Sequence, residues 1–193
     1  MDFEGLQKYV RDWLEKSLPR ELEYHAIDHT FDVLNAVEEI ALAEGVSEKE
    51  LLLLKTAALL HDCGFVKKYR DNEIIASELS SKLLPKYNYS KEDIQIIQNM
   101  IMATAVPQHP KTKLEEILCD ADLDYLGRSD FDELSTKLRH ELNAYNYQMS
   151  DLEWYELEVN FLKNHKYFTD YSKKEREPEK EKRIEELIKK IKV

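Results

Sequence analysis

The chain has 193 residues, a net charge of −11, four glycines and five prolines. The length suits one domain with a substantial core. The negative charge argues against a general nucleic-acid surface, because phosphate backbones require clustered Lys and Arg. The scarcity of Gly and Pro predicts an all-α fold, a single compact helical bundle, since strands joined by tight turns need more of these residues.

The N-terminal sequence MDFEGLQKYVRDWLEK is charged and amphipathic, unlike a signal peptide. No run of about 18 apolar residues occurs, so we expect no membrane-spanning helix and no membrane partner. Two cysteines, Cys63 and Cys119, are too few for a disulfide framework. We interpret them as core thiols of a cytoplasmic protein, with soft metal ligands as the alternative.

Apolar residues at helical spacing predict a first helix over residues 3–17, which Pro19 interrupts. A second helical pattern runs from Leu22 to about Ala43, and Gly45 is a suitable stop.

A capping box then marks the start of the third helix. Ser47 and Glu50 have the Ser-x-x-Glu spacing, and the run LLLLKTAALLHD that follows is apolar on nearly every side. We therefore expect a central, buried helix that ends near Gly64.

Five more helices are predicted, over 72–84, from Ser90 to near Pro107, and over 113–124, 131–145 and 151–170. The sequence beyond Tyr171 is dominated by Lys and Glu, with an isoleucine and leucine stripe that we expect to pack on the domain.

These patterns predict three parts of the chain. An N-terminal helix within 1–19 packs on a domain that covers 20–170. A charged C-terminal helix or tail follows over 171–193.

Four potential metal ligands end or interrupt segments that otherwise predict buried helix: His29, the adjacent pair His61 and Asp62, and Asp122. Buried ionisable groups must be paired or bound to a metal. Imidazole beside carboxylate suits Mn, Fe, Co, Ni or Zn better than Mg. We expect a divalent ion, which would activate water for hydrolysis.

Other interpretations of these residues are open. Asp62 could be a helix cap and His61 a satisfied core histidine. Asp120, Asp122 and Asp124 have two-residue spacing, so they cannot all bind one ion. His25 is four residues before His29, which predicts both imidazoles on one face of a helix.

In order and spacing, the motifs YHxxxH, HD and DAD resemble those of the HD superfamily of metal-dependent phosphohydrolases, over about residues 20–170. The segment YHAIDHTFDVL is also similar to cyclic-nucleotide phosphodiesterases, which are distant members of that superfamily. The stretches DNEIIAS, IMATAVPQHP and ILCDADLDYLG are closer to a subgroup known only as predicted HD phosphohydrolases.

The resemblance implies roles for individual residues. His29, His61, Asp62 and Asp122 match the family's metal ligands, with Asp120 as the alternative to Asp122. His25 matches the histidine that protonates the leaving oxygen in the phosphodiesterase branch.

Departures from the family pattern are equally informative. Dinuclear members carry further histidines where this chain has Asn72, Glu73 and Thr104, so we expect one tightly bound ion. Glu73 is a candidate for hydrogen bonding to the nucleophilic water, with helix capping as the alternative.

A phosphate-bearing substrate also needs cationic contacts, and Lys67, Lys68 and Arg128 are the candidates, with ordinary solvated side chains as the alternative. The predicted function is hydrolysis of a phosphate ester of a nucleotide or another small phosphorylated metabolite. A cyclic-nucleotide-type phosphodiesterase and a non-catalytic, metal-containing ligand sensor are the alternatives. We expect a monomer or homodimer with a small phosphorylated substrate.

Overall fold

The computed structural model describes residues 1–192, and Val193, the last residue of the predicted C-terminal segment, lies outside them. The described part contains ten α-helices and no β-strand, which confirms the all-α prediction. Their bounds are α1 Phe3–Ser17, α2 Ile27–Ala43, α3 Glu48–Leu60, α4 Asn72–Leu83, α5 Lys91–Ala103, α6 Lys113–Asp122, α7 Phe131–Ala144, α8 Asp151–Asn164, α9 Asp170–Glu175 and α10 Glu177–Ile191.

The first hydrophobic core lies among helices α1 to α6, with α3 at its centre. Helix α3 begins at the predicted capping box, in which the Ser47 hydroxyl accepts the Glu50 N–H and the Glu50 carboxylate accepts the Ser47 N–H. Its residues Leu53, Leu54 and Leu59 are fully or almost fully buried. A helix surrounded on all sides positions its C-terminal end rigidly, and His61 is at that end.

A second core is formed by α7, α8, α10 and a short 3₁₀ turn at Asp124–Gly127. Helix α10 packs along α8 and buries Leu187, with the neighbouring isoleucines half-buried. The two cores meet where α6 ends at Asp122 and the chain enters the second core at Leu123.

The predicted second helix begins five residues later than expected. Helix α2 starts at Ile27, and residues 20–26 are turns, so His25 precedes the helix that carries His29. The cause is tertiary: the Glu141 carboxylate accepts the backbone N–H groups of Tyr24 and His25 at 3.0 and 2.9 Å. These bonds replace the partners that a helix would have provided.

The predicted helix over 151–170 also differs from the structure. Helix α8 ends at Asn164, and α9 starts at Asp170 after an extended connection. The Asp120 carboxylate accepts the N–H groups of Phe168 and Thr169 at 2.9 and 2.8 Å, so a distant buried carboxylate again satisfies the backbone.

Both cysteines are buried and free, as expected of core thiols. Burial raises the pKa of the Cys63 thiol and of the Cys119 thiol. Among the helices in residues 1–192, we find none with both the length and the apolar character needed to cross a membrane.

Gly64 allows the start of α4 to pack closely against the turn that follows α3. A Cβ atom at this position would lie 1.9 Å from the carbonyl oxygen of Asn72. We expect Gly64→Ala to displace the start of α4 and lower the free energy of unfolding by about 1–3 kcal/mol, the usual cost of overpacking. Thermal unfolding measures this loss.

The control is Gly45→Asn, at an exposed position with φ of +67° and nothing within 4 Å of an added Cβ. Asn tolerates the left-handed conformation, so this variant should unfold close to the wild-type temperature. Equal unfolding temperatures for Gly64→Ala and the wild type would contradict the packing argument.

Candidate metal centre

Four side chains from three helix ends meet between the two cores. His29 is in the first turn of α2, His61 ends α3, Asp62 follows it, and Asp122 is the last residue of α6. His29 Nε2 lies 3.2 Å from Asp122 Oδ1 and 3.4 Å from Asp62 Oδ2. His61 Nε2 lies 3.3 and 3.1 Å from the same two oxygens.

These spacings fit a single divalent ion. Two atoms that bind one ion at about 2.0–2.2 Å are themselves roughly 3.0–3.5 Å apart. The ligand atoms of His29, His61 and Asp122 lie within 4.8 Å of one another, and Asp62 Oδ2 lies against both imidazoles. These four residues come from three separate segments of the sequence, and the fold brings them together.

The hydrogen bonding of His61 gives an independent test of that fit. Its Nδ1 donates to the Ala58 carbonyl at 2.8 Å, so in the neutral ring the lone pair is on Nε2. His61 Nε2 and Asp62 Oδ2 are buried, and within the described residues neither has a hydrogen-bond partner. A lone pair facing two carboxylates requires a cation between them, and this donor set is one that binds Zn-like ions.

The titration behaviour leads to the same conclusion. Burial by itself lowers the pKa of His61, but the contacts with the Asp62 and Asp122 carboxylates together outweigh burial and raise this pKa well above its ordinary value. Burial by itself raises the pKa of Asp122, but the imidazoles of His29 and His61 hold it below its usual range. The site therefore attracts positive charge, which a metal ion supplies more strongly than a proton.

Asp120 lies two residues before Asp122, but it faces a different part of the molecule. Its carboxylate accepts the Phe168 and Thr169 N–H groups and the Thr169 hydroxyl, the last at 2.7 Å. These bonds fix the connection between α8 and α9. They favour Asp122 over Asp120 as the ligand.

His25 lies beside the metal centre, held there by a residue that the sequence did not predict. Its Nδ1 lies 2.5 Å from Glu141 Oε1, and the Tyr69 hydroxyl donates to the same oxygen at 3.0 Å. Burial acts to lower the pKa of His25, but the hydrogen bond to Glu141 and the charge of Asp62 outweigh it, so the pKa is raised. These contacts orient the His25 ring and favour its protonated form.

A signal for Glu141 was present in the sequence. The apolar stripe of α7 includes Phe131, Leu134 and Leu138 at helical spacing, and Glu141 is at the next position of that stripe. A fully buried glutamate at an apolar position needs a partner, and its partners are the His25 ring and the backbone of Tyr24 and His25.

Glu73 is half-buried in the first turn of α4, close to the ligands. Burial is the main cause of the raised pKa of Glu73, and the negative charges of Asp62 and Asp122 raise it further. Lys67 and Lys68 are both exposed on the segment after the HD pair, and Lys68 forms an ion pair with Asp71. Lys67 makes no ion pair or hydrogen bond among residues 1–192 through its side chain.

Arg128 is already engaged by carboxylates. Its guanidinium donates to both oxygens of Asp32 at 3.0 and 2.9 Å and to Asp130, and Asp124 lies 3.5 Å away. All three guanidinium nitrogens of Arg128 thus donate to carboxylates, which neutralise its charge and compete with a substrate phosphate. We therefore do not retain the predicted substrate contact for it.

Comparison with known proteins gives the family. The sequence profile of the HD domain matches residues 26–125, which is more than half of the 193 residues. The chain belongs to the HD domain family. The matched range includes the four candidate ligands described above, and the match confirms the resemblance drawn from the motifs. Membership supports a metal-dependent hydrolase in general terms.

Among curated proteins, an uncharacterized protein of Clostridium beijerinckii is 34% identical over 82 residues. The alignment includes 40% of this HD-domain chain, and the chain spans about half (51%) of that relative's length.

Solved structures share the fold. A predicted HD superfamily hydrolase from an uncultured Thermotogales bacterium is 24% identical, with a TM-score of 0.56 over 75% of this chain and 85% of that chain. Lin1889 of Listeria innocua is 22% identical, with a TM-score of 0.66 over 100% and 99% of the two chains. YpgQ of Bacillus subtilis, solved in complex with ADP, is 22% identical, with a TM-score of 0.64 over 99% and 97%.

Proposed function

We propose that this protein is a metal-dependent phosphohydrolase that cleaves a phosphate ester of a nucleotide or another small phosphorylated metabolite. The observation that carries the proposal is the cluster of two imidazoles and two carboxylates, in which His61 Nε2 and Asp62 Oδ2 are buried without hydrogen bonds. One divalent ion fits this cluster, with Mn, Fe, Co, Ni or Zn preferred to Mg because two ligands are nitrogen atoms.

The protein's own groups have distinct roles in this proposal. His29, His61, Asp62 and Asp122 hold the ion, which when bound acidifies water and neutralises charge on the phosphoryl oxygens. Asp62 has a second oxygen with which to orient the attacking water. We assign Glu73, whose pKa is raised by the charges of both ligand carboxylates, to assist in that orientation.

His25 supplies the proton that the departing oxygen needs. Its Nδ1 lies against the Glu141 carboxylate, and the raised pKa favours the protonated ring, in which Nε2–H is the donor. Lys67, exposed after the HD pair, provides a cationic contact for the substrate phosphate.

A nucleotide is the substrate class that we favour. The support is the similar structure of YpgQ, which was solved with ADP. A cyclic nucleotide is the second candidate, because the segment YHAIDHTFDVL, which contains His25, is similar to cyclic-nucleotide phosphodiesterases.

The test is a hydrolysis panel on the purified protein loaded with Mn²⁺, Fe²⁺, Co²⁺, Ni²⁺, Zn²⁺ or Mg²⁺. Nucleoside mono-, di- and triphosphates and cyclic nucleotides are incubated separately, and products are separated by chromatography. We expect turnover of at least one nucleotide class with a transition metal, and much less with Mg²⁺. Tight nucleotide binding without any turnover would contradict the proposal and indicate a ligand-sensing module.

A further inference from the structure

An apolar cavity of about 350 Å³ begins beside the proposed catalytic histidine. Tyr24 and His25 form one end of it, and the rest of its wall comes mainly from α7, α8 and the turn between the two cores. The wall includes the aromatic and aliphatic side chains Tyr125, Phe131, Leu138, Leu142, Trp154 and Phe161. The volume is at the lower end of the roughly 300–1,000 Å³ that enclose small ligands.

The cavity is adjacent to the metal centre, because two residues that line it contact a proposed metal ligand. Tyr24 packs on the ligand His29 with ring centroids 4.8 Å apart, and His25 packs on His29 at 5.8 Å. Leu123, which also lines the cavity, follows the ligand Asp122 in the chain. A molecule whose phosphate is at the metal centre could therefore extend into this space.

The charge of the wall decides which part of a substrate fits. Among the described residues that line it, none is Lys or Arg, so the wall offers no cation to a phosphate. Besides His25 and three tyrosines, the polar residues of the wall are Ser135 and Glu158, and the Ser135 hydroxyl donates to Glu158 Oε1. Glu158 Oε2 makes no hydrogen bond within residues 1–192, so it can accept an N–H group from a ligand.

We infer that this cavity receives the nucleobase of the substrate while the phosphate lies at the metal centre. The inference rests on the proposed function and specifies its substrate class. A flat heterocycle satisfies both features of the wall, because its faces pack on aromatic rings and its edge carries N–H donors for Glu158. An aliphatic chain has no N–H group to donate to Glu158 Oε2.

Tryptophan fluorescence tests the inference without requiring hydrolysis. Trp154 is in the wall, and the other tryptophan, Trp13, is in α1 beside Tyr9. In the metal-loaded Trp13→Phe variant, adenosine and ADP should change the Trp154 emission in a saturable way, whereas ribose 5-phosphate should not. Adenosine has no phosphate, so its binding is separate from catalysis. No response to adenosine and ADP would overturn the inference.

Two substitutions that each place a tryptophan in a different cavity show which cavity binds the base. Leu157 lines this cavity and is 44% exposed, so a larger side chain can be accommodated without disturbing the core. Asn164, also on α8, lines only a neighbouring cavity of about 360 Å³. We expect Leu157→Trp to raise the Kd for ADP by about tenfold or more, in calorimetry with the metal-loaded protein, because base stacking is lost.

Asn164→Trp should leave the Kd for ADP unchanged. Equal weakening by both variants, or weakening by Asn164→Trp alone, would place the base elsewhere and overturn the inference. If adenosine binds but no nucleotide is hydrolysed, the proposed function fails while the cavity assignment stands.

Discussion

Replacing His61 with alanine is expected to abolish metal retention and to reduce the rate of phosphate release by more than about a hundredfold. Loss of a residue that merely supports a metal ligand typically costs 10–100-fold in affinity or activity, and His61 is itself a ligand in this account. Without its imidazole, Asp62 and Asp122 would lose the nitrogen that lies 3.1 and 3.3 Å from their oxygens. Elemental analysis of the purified variant measures the metal directly.

Two neighbouring aspartates provide the matched control. Asp122→Asn should lose the ion, because an amide is a poor ligand beside the imidazoles. Asp120→Asn should retain the ion but unfold more easily, by about 1–3 kcal/mol, since Asp120 holds the backbone of Phe168 and Thr169. The reverse pattern, with metal lost only in Asp120→Asn, would mean that the ligand assignment is wrong.

Replacing Glu141 with glutamine is expected to lower kcat with little change in KM. Glu141 does not touch the reacting atoms in this account; it orients His25 and raises its pKa through the bond to Nδ1. General acid catalysis contributes roughly 10²–10⁴-fold to a rate. The loss in kcat should therefore not exceed this range.

The pH dependence separates this role from a purely structural one. His25 acts as an acid, so activity falls as pH rises through its pKa. The raised pKa extends the active range upward in pH, and removing the Glu141 charge lowers that pKa. The alkaline limb of the kcat profile should therefore move to lower pH in Glu141→Gln.

An exposed histidine–glutamate pair serves as the control for this prediction. His140 Nδ1 lies 3.1 Å from Glu23 Oε2, and both side chains are more than half exposed. Glu23→Gln should leave kcat and the pH profile unchanged, because exposed pairs contribute little. An alkaline limb that does not move in Glu141→Gln would contradict the role given to Glu141.

The sequence was sufficient for the helices whose ends are set by local chemistry. The capping box of Ser47 and Glu50 starts α3 where predicted, and the apolar run after it forms the central buried helix. Four polar residues could be predicted as neighbours because each lies in or at the end of a buried segment: His29, His61, Asp62 and Asp122. The family resemblance then implied that they are metal ligands.

The predicted helix ends were wrong where a carboxylate distant in sequence accepts hydrogen bonds from the backbone. Glu141 keeps residues around His25 out of α2, and Asp120 ends the long helix that was predicted over 151–170. Helical periodicity describes neighbours along the chain, so it cannot show a bond between residues more than 45 positions apart. The apolar cavity could not be predicted from the sequence either, because its wall combines Tyr24 with residues of α7 and α8, which are distant in the chain.

Anomalous diffraction from a crystal grown with Mn²⁺ is the most direct test of the metal centre. The account predicts one strong peak between His29 Nε2, His61 Nε2, Asp62 and Asp122, with Asp120 still bonded to the Phe168 and Thr169 backbone. A peak at Asp120, or no peak at this cluster in a protein that retains Mn²⁺ in solution, would contradict it.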